Sequence, residues 1–311
     1  MNLKKLFKKE EKYKGKGFFF GKYLQKSDGV IRYFDVRSPR IKILCILIMI
    51  ICFIFVVIAL FPAVWVFLNC FKSLAEYKSS LKIMPESFAI DGILRTWKKF
   101  GFTRFYINSG IVVLGAVICG VFFNGLLAYG LAILKPRGHK ILNALVMWCL
   151  LIPSTASIVA LYLNINAVGL VGSFIPLWLC FGANAFWVVL FKNFFEGLPK
   201  ELIEAAQLDG CGPFQIFYKI VLPLSGPIIS VIIIFAITAA WSDFLLPYLV
   251  LNGTSKKWTV MVKLFSFRTL KNITVIDTLQ VVLFSIVPPT IFFLIFQKKI
   301  TDGAASGAVK G

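Results

Sequence analysis

Between Ile43 and Cys70 the chain reads Ile-Leu-Cys-Ile-Leu-Ile-Met-Ile-Ile-Cys-Phe-Ile-Phe-Val-Val-Ile-Ala-Leu-Phe-Pro-Ala-Val-Trp-Val-Phe-Leu-Asn-Cys. No charged residue interrupts this run. It exceeds the about 20 apolar residues that an α-helix needs to cross a hydrocarbon core about 30 Å thick. Lipid offers a backbone amide no water partner, so the run must satisfy its hydrogen bonds internally, as a helix. Five comparable runs follow, roughly Tyr106–Leu134, Ile141–Leu163, Gly169–Phe191, Pro227–Leu249 and Leu279–Phe296. The pattern predicts an all-α, polytopic membrane protein with six transmembrane helices. The first run is too long for the apolar centre of a cleavable signal, and a polar stretch reaching Lys42 precedes it.

Composition agrees, with 59% hydrophobic residues, 15% charged and a mean hydropathy of +0.83. Against this stand 34 Lys and Arg and only 14 Asp and Glu, a formal charge of +20 that must be sorted to ends and loops. With the N-terminus inside, 13 basic residues lie up to Lys42. Lys135, Arg137, Lys140, Lys192, Lys200, Lys219, Lys298, Lys299 and Lys310 raise the inside count to 22, against 12 outside. Both termini are therefore expected in the cytoplasm. The domain order follows as a basic tail over 1–42, a six-helix domain over 43–296 with a cytoplasmic loop at 192–226, and a tail over 297–311. The first tail suits either the anionic inner leaflet or a solvated anchor of orientation.

Counting also excludes functions. His139 is the only histidine, so a His-rich metal site or His-based triad cannot be built. The seven cysteines contain no Cys-x-x-Cys pair and mostly sit in apolar runs, where cysteine behaves as a small hydrophobe. A phosphate-binding Gly-x-x-x-x-Gly-Lys-Ser/Thr loop is absent, since Gly15-Lys16 and Gly21-Lys22 have Glu10 and Lys16 where the earlier glycine belongs. No cofactor is expected on this chain. The Lys-rich block precedes an apolar run and has no nucleic-acid module around it, so membrane lipid, not nucleic acid, is its expected partner.

The loop after the fourth run carries the densest signal. From Leu198 it reads Leu-Pro-Lys-Glu-Leu-Ile-Glu-Ala-Ala-Gln-Leu-Asp-Gly-Cys-Gly-Pro-Phe-Gln-Ile-Phe-Tyr-Lys-Ile-Val-Leu-Pro. Pro199 suits a first helical turn, Lys200 to Leu208 are good helix formers, and Gly210 stands where a left-handed cap is wanted. Pro213 can start a second short helix, set across the first at about a right angle. Ala205 and Ala206 leave a face open to close approach, and Glu204 offers a charge to a basic partner residue. Phe214, Phe217 and Tyr218 can anchor the pair, against the membrane domain or in a partner's cleft. An ordinary connector between spans would also satisfy these residues.

Glu204-Ala205-Ala206, three residues, Gly210, nine residues, Ile220, one residue, Leu222-Pro223 resembles the cytoplasmic loop signature of the membrane subunits of bacterial ABC importers. Asn108-Ser109 in the second run, Asp209-Gly210 and Trp241-Ser242-Asp243-Phe244-Leu245-x-Pro247 extend the resemblance. Cys211 stands where alanine is usual, and Ser242 where asparagine is frequent. The ending Gly303 to Gly311 resembles the shorter, six-helix permease of maltose-type carbohydrate importers. The resemblance implies a non-catalytic permease subunit paired with a second, longer permease, two ATPase subunits that bind ATP and Mg, and an extracytoplasmic solute-binding protein. It further implies that Glu204, Ala205, Ala206, Asp209, Gly210, Phe214, Phe217, Ile220 and Pro223 couple to an ATPase. By the same resemblance Gly307, Ala308, Val309, Lys310 and Gly311 reach the interface between the two ATPase subunits.

Polar residues inside the runs are the candidates for a translocation path: Asn124, Ser154, Thr155, Ser157, Asn184, Thr238, Trp241 and Asp243. Asp243 suits an interfacial anchor as well as a solute contact, and Trp241 suits the interface as well as a sugar ring. Gly115, Gly120 and Gly125 are expected to admit close helix packing.

Overall fold

The computed structural model describes residues 39–308, except 80, 81, 89, 252, 254, 268, 269, 271 and 272. Among the described residues the structure is helical, without strands. The basic tail over 1–38 lies outside the described residues. The chain divides into two compact units, Met1–Val64 and Trp65–Gly311.

In the first unit the described structure is the run of α1 (Pro39–Asn69) up to Val64. It is apolar on every side, with Ile43, Phe53 and Ile58 all exposed, as a helix in lipid would be.

The second unit begins with the end of α1 and holds every later element. Short α2 (Leu74–Ser79) and α3 (Asp91–Phe100) precede α4 (Phe102–Tyr129), which continues through a π-turn, Gly130–Leu134. Next come α5 (His139–Leu151), α6 (Ile158–Ala167), α7 (Ile175–Gly182) and α8 (Ala185–Glu196). The loop helices α9 (Lys200–Leu208) and α10 (Pro213–Ile216) lead to α11 (Gly226–Ser242), α12 (Leu245–Leu251), α13 (Val260–Ser266) and α14 (Val275–Ala308).

Among the described residues three helices are each long and apolar enough to cross a membrane, and two bent pairs raise the number to five if each pair is one span. The runs expected to span over Ile141–Leu163, Gly169–Phe191 and Pro227–Leu249 are each built from broken helix. In the first, Pro153 removes an amide donor and forces Ile152 into extended backbone (ψ 119°), so α5 stops and a short 3-10 turn, Ser154–Ser157, precedes α6. In the second, Gly169 and Gly172 take left-handed φ of 70° and 79°, which places the helix start at Ile175. That helix then bends by 43° between α7 and α8. In the third, Asp243 is extended (ψ 126°) and parts α11 from α12.

Close packing fixes α4 against α7 and α8. A Cβ added at Gly115 would lie 2.2 Å from the Trp178 ring, and one at Gly120 would lie 2.7 Å from Trp187. Only hydrogen fits there, as expected for small residues in helix contacts within a membrane. Gly125 has ordinary room, with Phe217 3.8 Å away.

The Asn108-Ser109 pair ties α4 to the segment before α13. Asn108 Nδ2 donates to the carbonyls of Lys256 and Trp258, each at 2.9 Å, and Ser109 Oγ accepts from Val260 N at 2.9 Å. Helix α3 docks through Trp97, whose ring lies 4.7 Å from Tyr106 and 5.0 Å from Phe284. Lys99 reaches Asp277 at 3.1 Å, while Thr274 and Asp277 cap the start of α14 through reciprocal bonds of 3.0 and 3.1 Å.

Candidate coupling surface and path residues

Helix α9 ends in a Schellman motif. Gly210 N donates to Gln207 O at 3.0 Å and Cys211 N to Ala206 O at 2.9 Å, with Gly210 at φ 80°. Asp209 is the cap residue before it, its N–H bonded to Ala205 O at 3.0 Å. Cys211 packs on the same core cluster as Ala206, which gives the motif its usual apolar contact. Past Gly212, Gln215 Oε1 accepts from Gly212 N at 3.1 Å and fixes the start of α10.

This cap decides which side chains face inward. Ile203, Ala206, Ile216 and Phe217 are buried in one cluster with Tyr129, Trp187 and Phe191. Glu204, Ala205, Leu208, Phe214 and Tyr218 are exposed, Leu208 at 90% and Phe214 at 55%. The three aromatic candidates are thereby divided: Phe217 is the anchor in the membrane domain, while Phe214 and Tyr218 face away from it. Ile220 is half-buried and Pro223 exposed. Large apolar groups displayed beside a carboxylate form the kind of patch that marks a protein contact.

Phe217 also stands where two π-turns meet. Its ring meets that of Tyr129 at 5.3 Å, and Tyr129 Oη donates to Pro213 O at 3.0 Å. Tyr129 immediately precedes the π-turn Gly130–Leu134, and Phe217 opens a second one, Phe217–Val221. The chain then turns by 83° between Pro213–Leu224 and Gly226–Ser242. Paired π-turns are places where helices accommodate functional distortion. Tyr129→Phe is expected to cost about 1 kcal/mol by deleting one hydrogen bond. The check is a faster proteolytic cleavage of the 198–213 segment, with the yield of membrane-inserted protein unchanged.

The path candidates fall into distinct environments. Asn124 is fully buried. Its Nδ2 donates to Gly120 O at 2.7 Å and Phe181 O at 2.8 Å, and its Oδ1 accepts from Asn184 N at 2.8 Å. It braces the break between α7 and α8, which leaves no amide atom for a solute. Trp241 is likewise buried, with Nε1 donating to Ser285 O at 3.0 Å and its ring 5.5 Å from Tyr106. In both residues the polar atoms are held by backbone at helix breaks and contacts. Thr238 returns its hydroxyl to Ile234 O at 2.8 Å.

Asn184 caps α8, accepting from Trp187 N at 3.1 Å, and with Asp243 it lines a cavity of about 440 Å³. The Ser154 side chain lies outside the described residues. So do the side chains of Gly307 and Ala308, and all of Val309, Lys310 and Gly311. Neither the Asn124 bracket nor the inward turn of Trp241 has a local sequence signal; both depend on contacts far apart in the chain. The Gly210 cap was visible in sequence.

Residues 125–302 match the family model for the binding-protein-dependent transport system inner membrane component. The melibiose/raffinose/stachyose import permease protein MelC of Bacillus subtilis is 30% identical over 245 residues, covering 77% of this chain and 87% of that protein. The diacetylchitobiose uptake system permease protein NgcG of Streptomyces coelicolor is 27% identical over 259 residues, covering 82% and 85%. A crystal structure of a bacterial ABC transporter involved in import of the acidic polysaccharide alginate aligns with a TM-score of 0.73 at 21% identity, over 84% of this chain and 98% of that one. That last likeness speaks for the fold.

The chain is thus a multi-pass membrane permease, a non-catalytic subunit. It belongs to the family of binding-protein-dependent transport system inner membrane components.

Proposed function

We propose that this protein forms half of the translocation pathway of an ATP-driven oligosaccharide importer and receives force through α9 and α10. In this reading both termini are cytoplasmic. A second, longer permease completes the pathway, two ATPase subunits bind ATP and Mg beneath it, and an extracytoplasmic binding protein delivers the solute. The importers of diacetylchitobiose and of melibiose, raffinose and stachyose among the relatives support a saccharide cargo.

One observation carries the reading. The capped helix pair displays Leu208, Phe214, Tyr218 and Glu204 on its free side while Phe217 roots its other side beside Tyr129. A rigid element with an apolar outer face and a buried root transmits displacement, where a flexible loop would absorb it. Docked in an ATPase cleft, it would carry motion into α4 through Tyr129 and into α11 through the bend at Gly226. Gly307 to Gly311 belong to the same proposal, as a segment reaching the junction of the two ATPase subunits.

The test is a charge reversal. Glu204→Lys is expected to lower ATPase-subunit copurification and saccharide-stimulated ATP hydrolysis by about tenfold, as loss of a charged interface contact does. Its membrane yield should match the unaltered chain, since Glu204 is exposed and roots nothing. Unchanged copurification and unchanged hydrolysis would count against docking here.

A further inference from the structure

Two of the helix breaks open onto one cavity. Asn184 stands at the break between α7 and α8, and Asp243 at the break between α11 and α12. Both line the same space of about 440 Å³, together with Ile158, Leu161, Cys180 and Phe181. Irregular backbone at membrane depth persists where it lines a cavity or is buried in protein, and broken helices recur at solute sites in transporters. The volume lies within the roughly 300–1,000 Å³ of small-molecule sites.

The polar groups here are not fully used within the chain. Asn184 Oδ1 accepts from Trp187 N, but among the described residues no acceptor is bonded to its Nδ2. Asp243 stands in extended backbone just before α12, its carboxylate beside the backbone N–H groups of Leu245 and Leu246. A carboxylate offers about four acceptor positions, so some remain for a ligand. The ion pairs among the described residues are Lys99–Asp277 and Lys192–Glu196, and Asp243 belongs to neither. Phe181 is held nearly parallel to Trp187, with centroids 6.0 Å apart and planes at 16°. A firm apolar wall thus faces an amide donor and an uncompensated carboxylate.

We infer that this cavity is a solute subsite for an uncharged, hydroxyl-rich sugar unit, and that Asp243 discriminates against anionic sugars such as uronates. The inference rests on reading the chain as an oligosaccharide permease. Sugar hydroxyls donate to the Asp243 carboxylate and accept from Asn184 Nδ2, while the apolar C–H face of the ring lies on Phe181. A second carboxylate brought into the same space meets like charge without a cation to offset it, and rejection of that kind is how a site excludes a close analogue.

Cys180 supplies the readout, since it lines the cavity. In the complete importer reconstituted in vesicles, Cys45, Cys52, Cys70, Cys119, Cys149 and Cys211 of this chain are replaced by alanine. Alkylation of Cys180 by a small maleimide is then followed by peptide mass spectrometry. The probes are raffinose, maltotriose and trigalacturonate, each first tested for stimulation of ATP hydrolysis. A stimulating neutral trisaccharide, at about four times its half-saturating concentration, is expected to slow alkylation about fivefold by simple occupancy. Trigalacturonate at that concentration should leave the rate unchanged. In Asp243→Asn, which still caps the following helix, both classes should protect. In Asn184→Leu the neutral sugar should no longer do so.

Stimulation by a neutral sugar without protection of Cys180 would overturn the subsite and leave the importer reading intact. Stimulation by trigalacturonate alone, or equal protection by it in the presence of Asp243, would overturn the selectivity. Absence of stimulation by every saccharide would overturn the importer reading, and this inference with it.

Discussion

Gly210→Val is expected to abolish saccharide-stimulated ATP hydrolysis and uptake while leaving the protein inserted in the membrane. Gly210 sits at φ 80°, and a Cβ built there meets nothing within 4 Å. The effect is therefore conformational and owes nothing to collision. An L-residue in left-handed backbone costs about 1–2 kcal/mol, and a β-branched one is a poorer fit still. The chain avoids that cost by giving up the cap, and with it the bonds from Gly210 N to Gln207 O and Cys211 N to Ala206 O. Helix α9 then loses its fixed setting on α10, and the exposed face no longer meets a partner as a unit. Gly210→Asn separates this account from a demand for glycine as such, because asparagine accepts left-handed backbone. Stimulated ATP hydrolysis should fall by more than about tenfold in the valine variant, the equivalent of the strain alone. The asparagine variant should keep most of it.

Asn124→Leu is expected to give the largest loss of stability. Leucine approximates the volume but leaves Asn184 N–H and Phe181 C=O without a partner where the α7–α8 span is broken. Hydrogen bonds between intact membrane helices are often worth well under about 1 kcal/mol, because alternatives exist in the bilayer. Here the orphaned groups are part-buried backbone at a helix break, where no bond within the helix can replace the one lost. Each then costs about 1–3 kcal/mol when buried, so the variant should lose roughly 2 kcal/mol or more. Detergent-induced unfolding of the purified protein checks it, with a midpoint clearly below that of the unaltered chain. A change within the error of the midpoint would mean that the bracket is dispensable.

Asn124 also shows where sequence reading stops. Its polarity inside an apolar run marked it as unusual, but the two partners that make it a brace are 57 and 60 residues away along the chain. Only the folded contact distinguishes a brace from a path residue. Trp241 is similar: its indole bonds to Ser285, on a helix that local periodicity cannot bring to it. Breaks were partly legible, since Pro153 predicts a local end to helix, while the bend at Ala183-Asn184 has no proline to announce it. The loop from Leu198 to Pro223 was the most legible region, because its signals are local. Proline starts, a helix-forming stretch and a glycine in left-handed backbone all act within a few residues of one another. Which of Phe214, Phe217 and Tyr218 turns inward was not local, and Tyr129 decides it.

The central claim is that this chain transports only as a subunit driven by an ATPase that it does not contain. The most direct measurement isolates the tagged protein from its native membrane, identifies what copurifies, and follows ATP hydrolysis as oligosaccharides are added. Copurification of an ATPase and a second permease, with hydrolysis that rises on addition of one class of saccharide and its binding protein, is the predicted result. Saccharide uptake by this chain alone, in vesicles holding neither partner nor ATP, would contradict it.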